Sequence, residues 1–178
     1  MMEKIFNGEI AQGGKKIIFV CTGNTCRSCM AEGIFRALSS SDSALSPFKA
    51  ASRGIQAFDG DPASGHSITA LKKLWDIDIS VHKARLLGRE DIEEADLLLT
   101  MTRQHRDFLK AKYPGKSRGI FTLKEYAFPQ TVRDGASVDI TDPFGMPYAN
   151  YESCAMEIYD CVKAVIGRIT GDMPGART

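Results

Sequence analysis

Three of the five cysteines in this 178-residue chain, Cys21, Cys26 and Cys29, fall within nine positions. The segment around them reads Cys21-Thr22-Gly23-Asn24-Thr25-Cys26-Arg27-Ser28. A short loop that runs into a helix can turn the backbone N–H groups of Thr22, Gly23, Asn24, Thr25, Cys26, Arg27 and Ser28 toward one centre, where the helix dipole adds to them. Arg27 supplies a planar fork of donors matched to phosphate. The same field favours a thiolate at Cys21, and Ser28 can donate a hydrogen bond to it. Nucleophile, anion nest and cationic clamp all serve one reaction, attack of sulfur on phosphorus.

Such a transfer needs a proton for the departing group. Asp142, in Thr141-Asp142-Pro143-Phe144-Gly145, is the candidate. Pro143 restricts Asp142 to an extended backbone, and Phe144 is expected to wall its carboxyl with apolar surface. An Asp-Pro pair by itself is an ordinary turn; its meaning here comes from the loop at Cys21.

These residues need a scaffold. Ile17-Ile18-Phe19-Val20 is a β-branched and aromatic run suited to a buried strand, and Met30, Ile34 and Leu38 mark one face of a helix ended by Ser39-Ser40-Ser41. Further strands are expected at Phe48–Ala51, Asp96–Met101 and Gly119–Thr122. Helices are expected through Ile68, Leu71 and Trp75, from Arg103 to about Tyr113, and along the stripe Cys154, Ile158, Cys161, Val162, Val165 and Ile169. Strands alternating with helices predict an α/β domain: a four-stranded parallel sheet with helices on both faces. Ligands of such sheets bind at the carboxyl ends of the strands, where Cys21 stands. The Pro-, Asp- and Gly-rich stretch from Tyr126 to Tyr151 is expected to loop over that edge. Residues 1–14 read as an N-terminal extension, 15–171 as the domain and 172–178 as a tail.

Lys plus Arg number 23 against 22 for Asp plus Glu, a net charge of +1, and 43% of residues are hydrophobic. That supports one cored domain and gives no sign of a nucleic-acid partner or a polybasic membrane anchor. With no secretory leader and no apolar run near membrane length, the expected location is the cytoplasm.

Cys-x5-Arg-Ser after the first strand with a late Asp-Pro resembles the low-molecular-weight protein tyrosine phosphatase family. The resemblance extends over Ala31-Glu32, Ser52-Arg53-Gly54-Ile55, Ile79 to Arg85 and Ala95-Asp96-Leu97. It implies a cysteinyl-phosphate intermediate in which Cys21 attacks, Arg27 and the loop amides hold the oxygens, and Asp142 is general acid and then base. It also implies that Asn24, Ser52 and His82 hydrogen-bond to shape the loop. Thr25, Met101-Thr102-Arg103-Gln104-His105, Phe121 to Tyr126 and Asp142 to Gly145 resemble the protein arginine phosphatases of Gram-positive bacteria. Thr25 stands where tyrosine-directed members usually carry Ile. A threonine is smaller and can accept from a guanidinium N–H, so phosphoarginine in proteins is the expected substrate and phosphotyrosine the alternative. Thr25, Phe58 and Phe144 are the expected selectivity residues, Phe58 and Phe144 as aromatic or apolar walls. Cys29 replaces the proline usual after the loop serine, which predicts a less rigid helix start.

Four other readings compete. Cys26-Arg27-Ser28-Cys29 has zinc-ligand spacing, but no second Cys-x2-Cys or His-x3-His pair follows, so neither metal nor cofactor is expected. A thioredoxin-like dithiol would begin its motif directly after a strand, not five residues into a loop. An arsenate reductase would use further cysteines, but Cys154 and Cys161 follow the Asp-Pro loop and share a helix face that reads as packing. A non-catalytic phosphate binder would not need Cys21, Arg27 and Asp142 together. His66 and His105 read as surface or helix-packing residues, and Lys72-Lys73 and Arg103 to Arg106 as solvated faces. Cys26, close to Cys21 in the loop, is expected to close a reversible disulfide that shields the thiolate.

Overall fold

The computed structural model describes residues 14–171. The expected extension (apart from Gly14) and tail lie outside the described residues. Four strands, β1 (Lys15–Cys21), β2 (Phe48–Gly54), β3 (Leu97–Thr100) and β4 (Ile120–Thr122), form one parallel sheet in the order β2-β1-β3-β4. The helices are α1 (Arg27–Ser39), α2 (Gly65–Trp75), α3 (Arg89–Glu94), α4 (Arg103–Lys112), α5 (Leu123–Ala127), α6 (Pro129–Arg133) and α7 (Tyr148–Thr170).

Side chains of a strand alternate between the two faces, and here both faces are covered, which is why β1 and β3 read as unbroken apolar runs. Ile17, Phe19, Leu97 and Leu99 pack against Met30, Ile34, Leu71, Ile158 and Val162 from α1, α2 and α7. Ile18, Val20, Leu98 and Ile120 point the other way, to Ile92 and Leu109 from α3 and α4. Trp75, at the end of α2, is half-buried and stacks at 4.2 Å on Tyr159 of α7. Cys154 and Cys161 are buried in the α7 seam, and burial pushes both thiols up to about 12, so they remain protonated packing groups.

The stretch from Tyr126 to Tyr151 is less of a loop than its composition predicts. Thr122 and Glu125 form a reciprocal capping box that starts α5, and Pro129 occupies the first turn of α6. The irregular part is held at Val138 and Ile140, both buried, with the Ile140 N–H bonded to the Met101 carbonyl. Strand β2 runs three residues further than expected. Its end, Gly54, pairs with Cys21 in register. From β1 the chain goes to β2 on one side and then to β3 on the other. The carboxyl end of β1 is therefore the switch point of the sheet, where the loops after β1 and β3 diverge and leave a crevice. Among the described residues no helix is long and apolar enough to cross a membrane.

Candidate active site

Residues 21–26 cross that crevice from β1 to α1, and five of their six carbonyls are engaged by neighbouring groups. The Cys21 and Thr22 carbonyls accept from Ile55 and Gln56, that of Asn24 from the His82 ring at 2.8 Å, that of Thr25 from Ser64 and that of Cys26 from Met30. Engaging these carbonyls turns the N–H groups that follow them inward, which builds the anion nest. Gly54 makes room for this course: a Cβ there would lie 2.5 Å from the Thr22 carbonyl oxygen and 3.0 Å from the Asn24 nitrogen. Helix α1 begins at Arg27 with no side-chain cap, so its first N–H groups also face the nest.

Asn24 holds the turn. It is fully buried in the left-handed region (φ 58°), a conformation that Asn tolerates better than most residues. Its Nδ2 donates to Ser28 Oγ (2.8 Å) and Ser52 Oγ (2.9 Å), and its Oδ1 accepts from the Arg85 N–H (2.9 Å). Ser52 in turn donates a hydrogen bond to Glu32 Oε2 at 2.5 Å. Because Ser28 Oγ accepts from Asn24, its proton is free for Cys21 Sγ, 2.9 Å away. The Asn24 N–H approaches the same sulfur at 3.3 Å. Two donors thus converge on a nearly buried sulfur.

A pocket of about 200 Å³ opens above this sulfur, lined by Cys21, Thr22, Gly23, Thr25, Cys26, Arg27, Asp142 and Phe144. Arg27 is 3% exposed. Its Nη1 donates to the Ile140 carbonyl at 3.1 Å, and its Nη2 pairs with Asp142. Its buried Nε has no partner among the described residues. The Asp-Pro loop thus supplies both an anchor for Arg27 and a carboxylate at the pocket. A wider depression of about 750 Å³, bounded by Glu32, Arg36, Ser52 and His82, lies behind the Asn24 network and is lined by none of Cys21, Arg27 and Asp142.

Three expectations change. The Asp142 carboxyl is not walled by apolar surface: it is 47% exposed, its nearest partner is a guanidinium, and Phe144 is 74% exposed at the rim. The reason is reach, since the loop turns after Pro143 and the Phe144 N–H caps Asp142 Oδ1 at 3.1 Å. Phe58 projects into solvent, 77% exposed, and is not among the residues lining the pocket. Arg106 and His105 do not lie on a solvated face: Arg106 pairs with Glu125 of α5, and His105 is 6% exposed. His105 Nε2 lies 3.0 Å from Thr22 Oγ1 at the pocket wall, a contact across the switch point that no local motif announces. His66 is exposed against Tyr148 and Tyr151. Cys26 and Cys29 are buried free thiols. The Cys29 S–H donates to the Cys26 carbonyl at 3.0 Å, which supplies a tie where the proline would have stiffened the helix start.

A buried cysteine sulfur before a helix N-terminus, an arginine fork beside it and a carboxyl at the rim are the arrangement expected of a phosphatase that works through cysteine. The model of the family described as low molecular weight phosphotyrosine protein phosphatase matches residues 16–173, and the chain belongs to that family. It is 38% identical over 150 residues to the low molecular weight protein-tyrosine-phosphatase PtpB of Staphylococcus epidermidis, covering 84% of this chain and 96% of that one. It is 32% identical over 157 residues to the protein-arginine-phosphatase of Bacillus subtilis, covering 88% and 97%. The crystal structure of a low molecular weight protein tyrosine phosphatase from T. tengcongensis superposes with a TM-score of 0.76 at 41% identity, over 86% of this chain and 98% of that one.

Proposed function

We propose that this phosphatase hydrolyses phosphoarginine in cytoplasmic proteins. The observation that carries the reading is Thr25, which lines the pocket together with Asp142 and Phe144. A hydroxyl there accepts from a guanidinium N–H, and a carboxyl oxygen of Asp142 supplies a second acceptor for it. Phosphotyrosine is the second reading, favoured by the 38% identity to PtpB.

The phosphoryl group enters the nest and takes the Nε and Nη2 edge of Arg27, displacing Asp142 from that guanidinium. Cys21 Sγ attacks phosphorus, the P–N bond breaks, and Asp142 gives a proton to the departing guanidine nitrogen. Ser28 and the inward N–H groups hold the charge on sulfur and on the phosphoryl oxygens. Water then attacks the cysteinyl phosphate as Asp142 takes its proton, and the S–P bond breaks to release inorganic phosphate and the Cys21 thiolate. When hydrogen peroxide oxidises that thiolate to a sulfenic acid, the Cys26 thiol attacks its sulfur, closes a Cys21–Cys26 disulfide and releases water, which guards Cys21 against further oxidation.

The test compares kcat/KM on phosphoarginine and phosphotyrosine peptides for the wild type and Thr25→Ile. The wild type is expected to prefer phosphoarginine, and Thr25→Ile to shift the ratio toward phosphotyrosine by about tenfold or more, a change of about 1.4 kcal/mol. A wild type that prefers phosphotyrosine, or a ratio that Thr25→Ile leaves unchanged, overturns the arginine reading.

A further inference from the structure

We infer that His105 is a positioning residue that aims the hydroxyl proton of Thr22 into the pocket, which makes Thr22 a side-chain donor to the bound phosphoryl group. This rests on the phosphatase reading of the site. It concerns two residues that the nucleophile, clamp and acid leave without a task.

The geometry assigns the tautomer. His105 stands in the first turn of α4, where its N–H bonds to Thr102 Oγ1, and its ring reaches the loop after β1. Nε2 lies 3.0 Å from Thr22 Oγ1, whereas Nδ1 is buried with no partner among the described residues. A neutral imidazole has one N–H and one lone pair. A buried N–H without an acceptor is rarer and costlier than an unused lone pair. The proton therefore sits on Nε2 and is donated to Thr22 Oγ1. With that oxygen accepting, the Thr22 hydroxyl keeps its own proton for another partner, just as Ser28 does for Cys21. Thr22 lines the pocket with Cys21 and Arg27, so the free direction of its hydroxyl is toward the phosphoryl oxygens.

The ring stays neutral for a physical reason. Burial and the nearby Arg27 guanidinium outweigh the carboxylates of Asp142 and Asp139, and its pKa falls to about 4. An imidazolium would place a second N–H at Nδ1, where nothing accepts it. A neutral donor also adds no cation to the nest. It fixes the direction of a hydroxyl and leaves Arg27 as the clamp.

Two measurements test this. The first is the ring tautomer, read in the free wild-type protein by long-range ¹H–¹⁵N correlation NMR, with His105 assigned among the three histidines by the loss of its signals in His105→Gln. The Nε2–H form is expected from pH 8 to pH 5; an Nδ1–H form or an imidazolium in that range overturns the inference. The second is a double-mutant cycle with a phosphopeptide as substrate and inorganic phosphate as competitive inhibitor. Thr22→Val and His105→Leu are each expected to lower kcat/KM and to weaken phosphate inhibition about tenfold. The double variant should be no worse than either single one. Thr22→Ser and His105→Gln, which restore a hydroxyl and a donor at the Nε2 position, should recover most of the loss. His105→Leu being equally harmful in the Thr22→Val background would overturn the inference, as would a folded His105→Gln without recovery. Loss of turnover on every phosphopeptide in the wild type would instead refute the phosphatase reading, while the tautomer and phosphate binding would still decide the role of His105.

Discussion

Asn24 offers the sharpest test of how the loop is held. Its fully buried side chain donates hydrogen bonds to Ser28 and Ser52 and accepts one from the Arg85 backbone, all at 2.8–2.9 Å. At about 1 kcal/mol each, truncation to Ala removes roughly 3 kcal/mol. Ala must also adopt the left-handed backbone at φ 58°, which adds about 1 kcal/mol. Asn24→Ala is therefore expected to lose about 4 kcal/mol of stability, a fall in Tm of roughly 8–16 °C for a chain of this size. Asn24→Gly loses the same side-chain bonds without the backbone strain, and should recover about 1 kcal/mol of it. The assay is urea unfolding of both variants followed by circular dichroism, with thermal melts as a check. A loss below about 1 kcal/mol in Asn24→Ala, or a Gly variant less stable than the Ala one, would refute the reasoning. Turnover should fall in both, because the Ser28 proton and the Asn24 N–H are no longer held toward Cys21 Sγ.

Two further outcomes follow from the site. Asp142→Asn should lower kcat by about 10²–10⁴-fold by removing the proton donor. It also takes the ionic partner from Arg27, so inorganic phosphate should inhibit about fivefold more tightly, in line with roughly 1 kcal/mol for a half-exposed ion pair. An unchanged kcat would remove Asp142 from the mechanism. The second outcome concerns acid. The folded pKa of His105, about 4, lies below the ordinary value of 6.5, so between those limits the unfolded chain binds the proton and the folded one does not. Its neutral ring therefore costs nothing above pH 6.5, and stability drops as pH falls toward 4, by on the order of 2–3 kcal/mol. His105→Gln should lose less stability than the wild type over that window in pH-dependent urea unfolding; an equal or steeper loss would contradict the burial of a neutral ring.

The chemistry was legible in the chain where it is contiguous. Residues 21–28 hold the candidate nucleophile, nest and clamp in one short segment, and local backbone geometry at a strand-to-helix junction leaves such a segment few ways to fold. The parallel sheet was equally legible, because strands covered on both faces must be apolar throughout, as Ile17–Val20 and Leu97–Leu99 are. Elements whose signals are weak or local to a cap, such as α5 and α6, were masked by the Pro, Asp and Gly around them.

What no pattern in the chain announces is which distant residues meet. Arg27 and Asp142 are 115 positions apart, and Thr22 and His105 are 83 apart. Their contacts follow from the strand order β2-β1-β3-β4, which opens the crevice at the end of β1 and brings the first turn of α4 to its wall. Nor does any pattern announce that Phe58 stands in solvent or that the Asp142 carboxylate meets a guanidinium instead of an apolar wall. Residue types and spacing are properties of a segment. The partner, burial and protonation of each group depend on sheet register and helix packing, which exist only when the whole chain is folded.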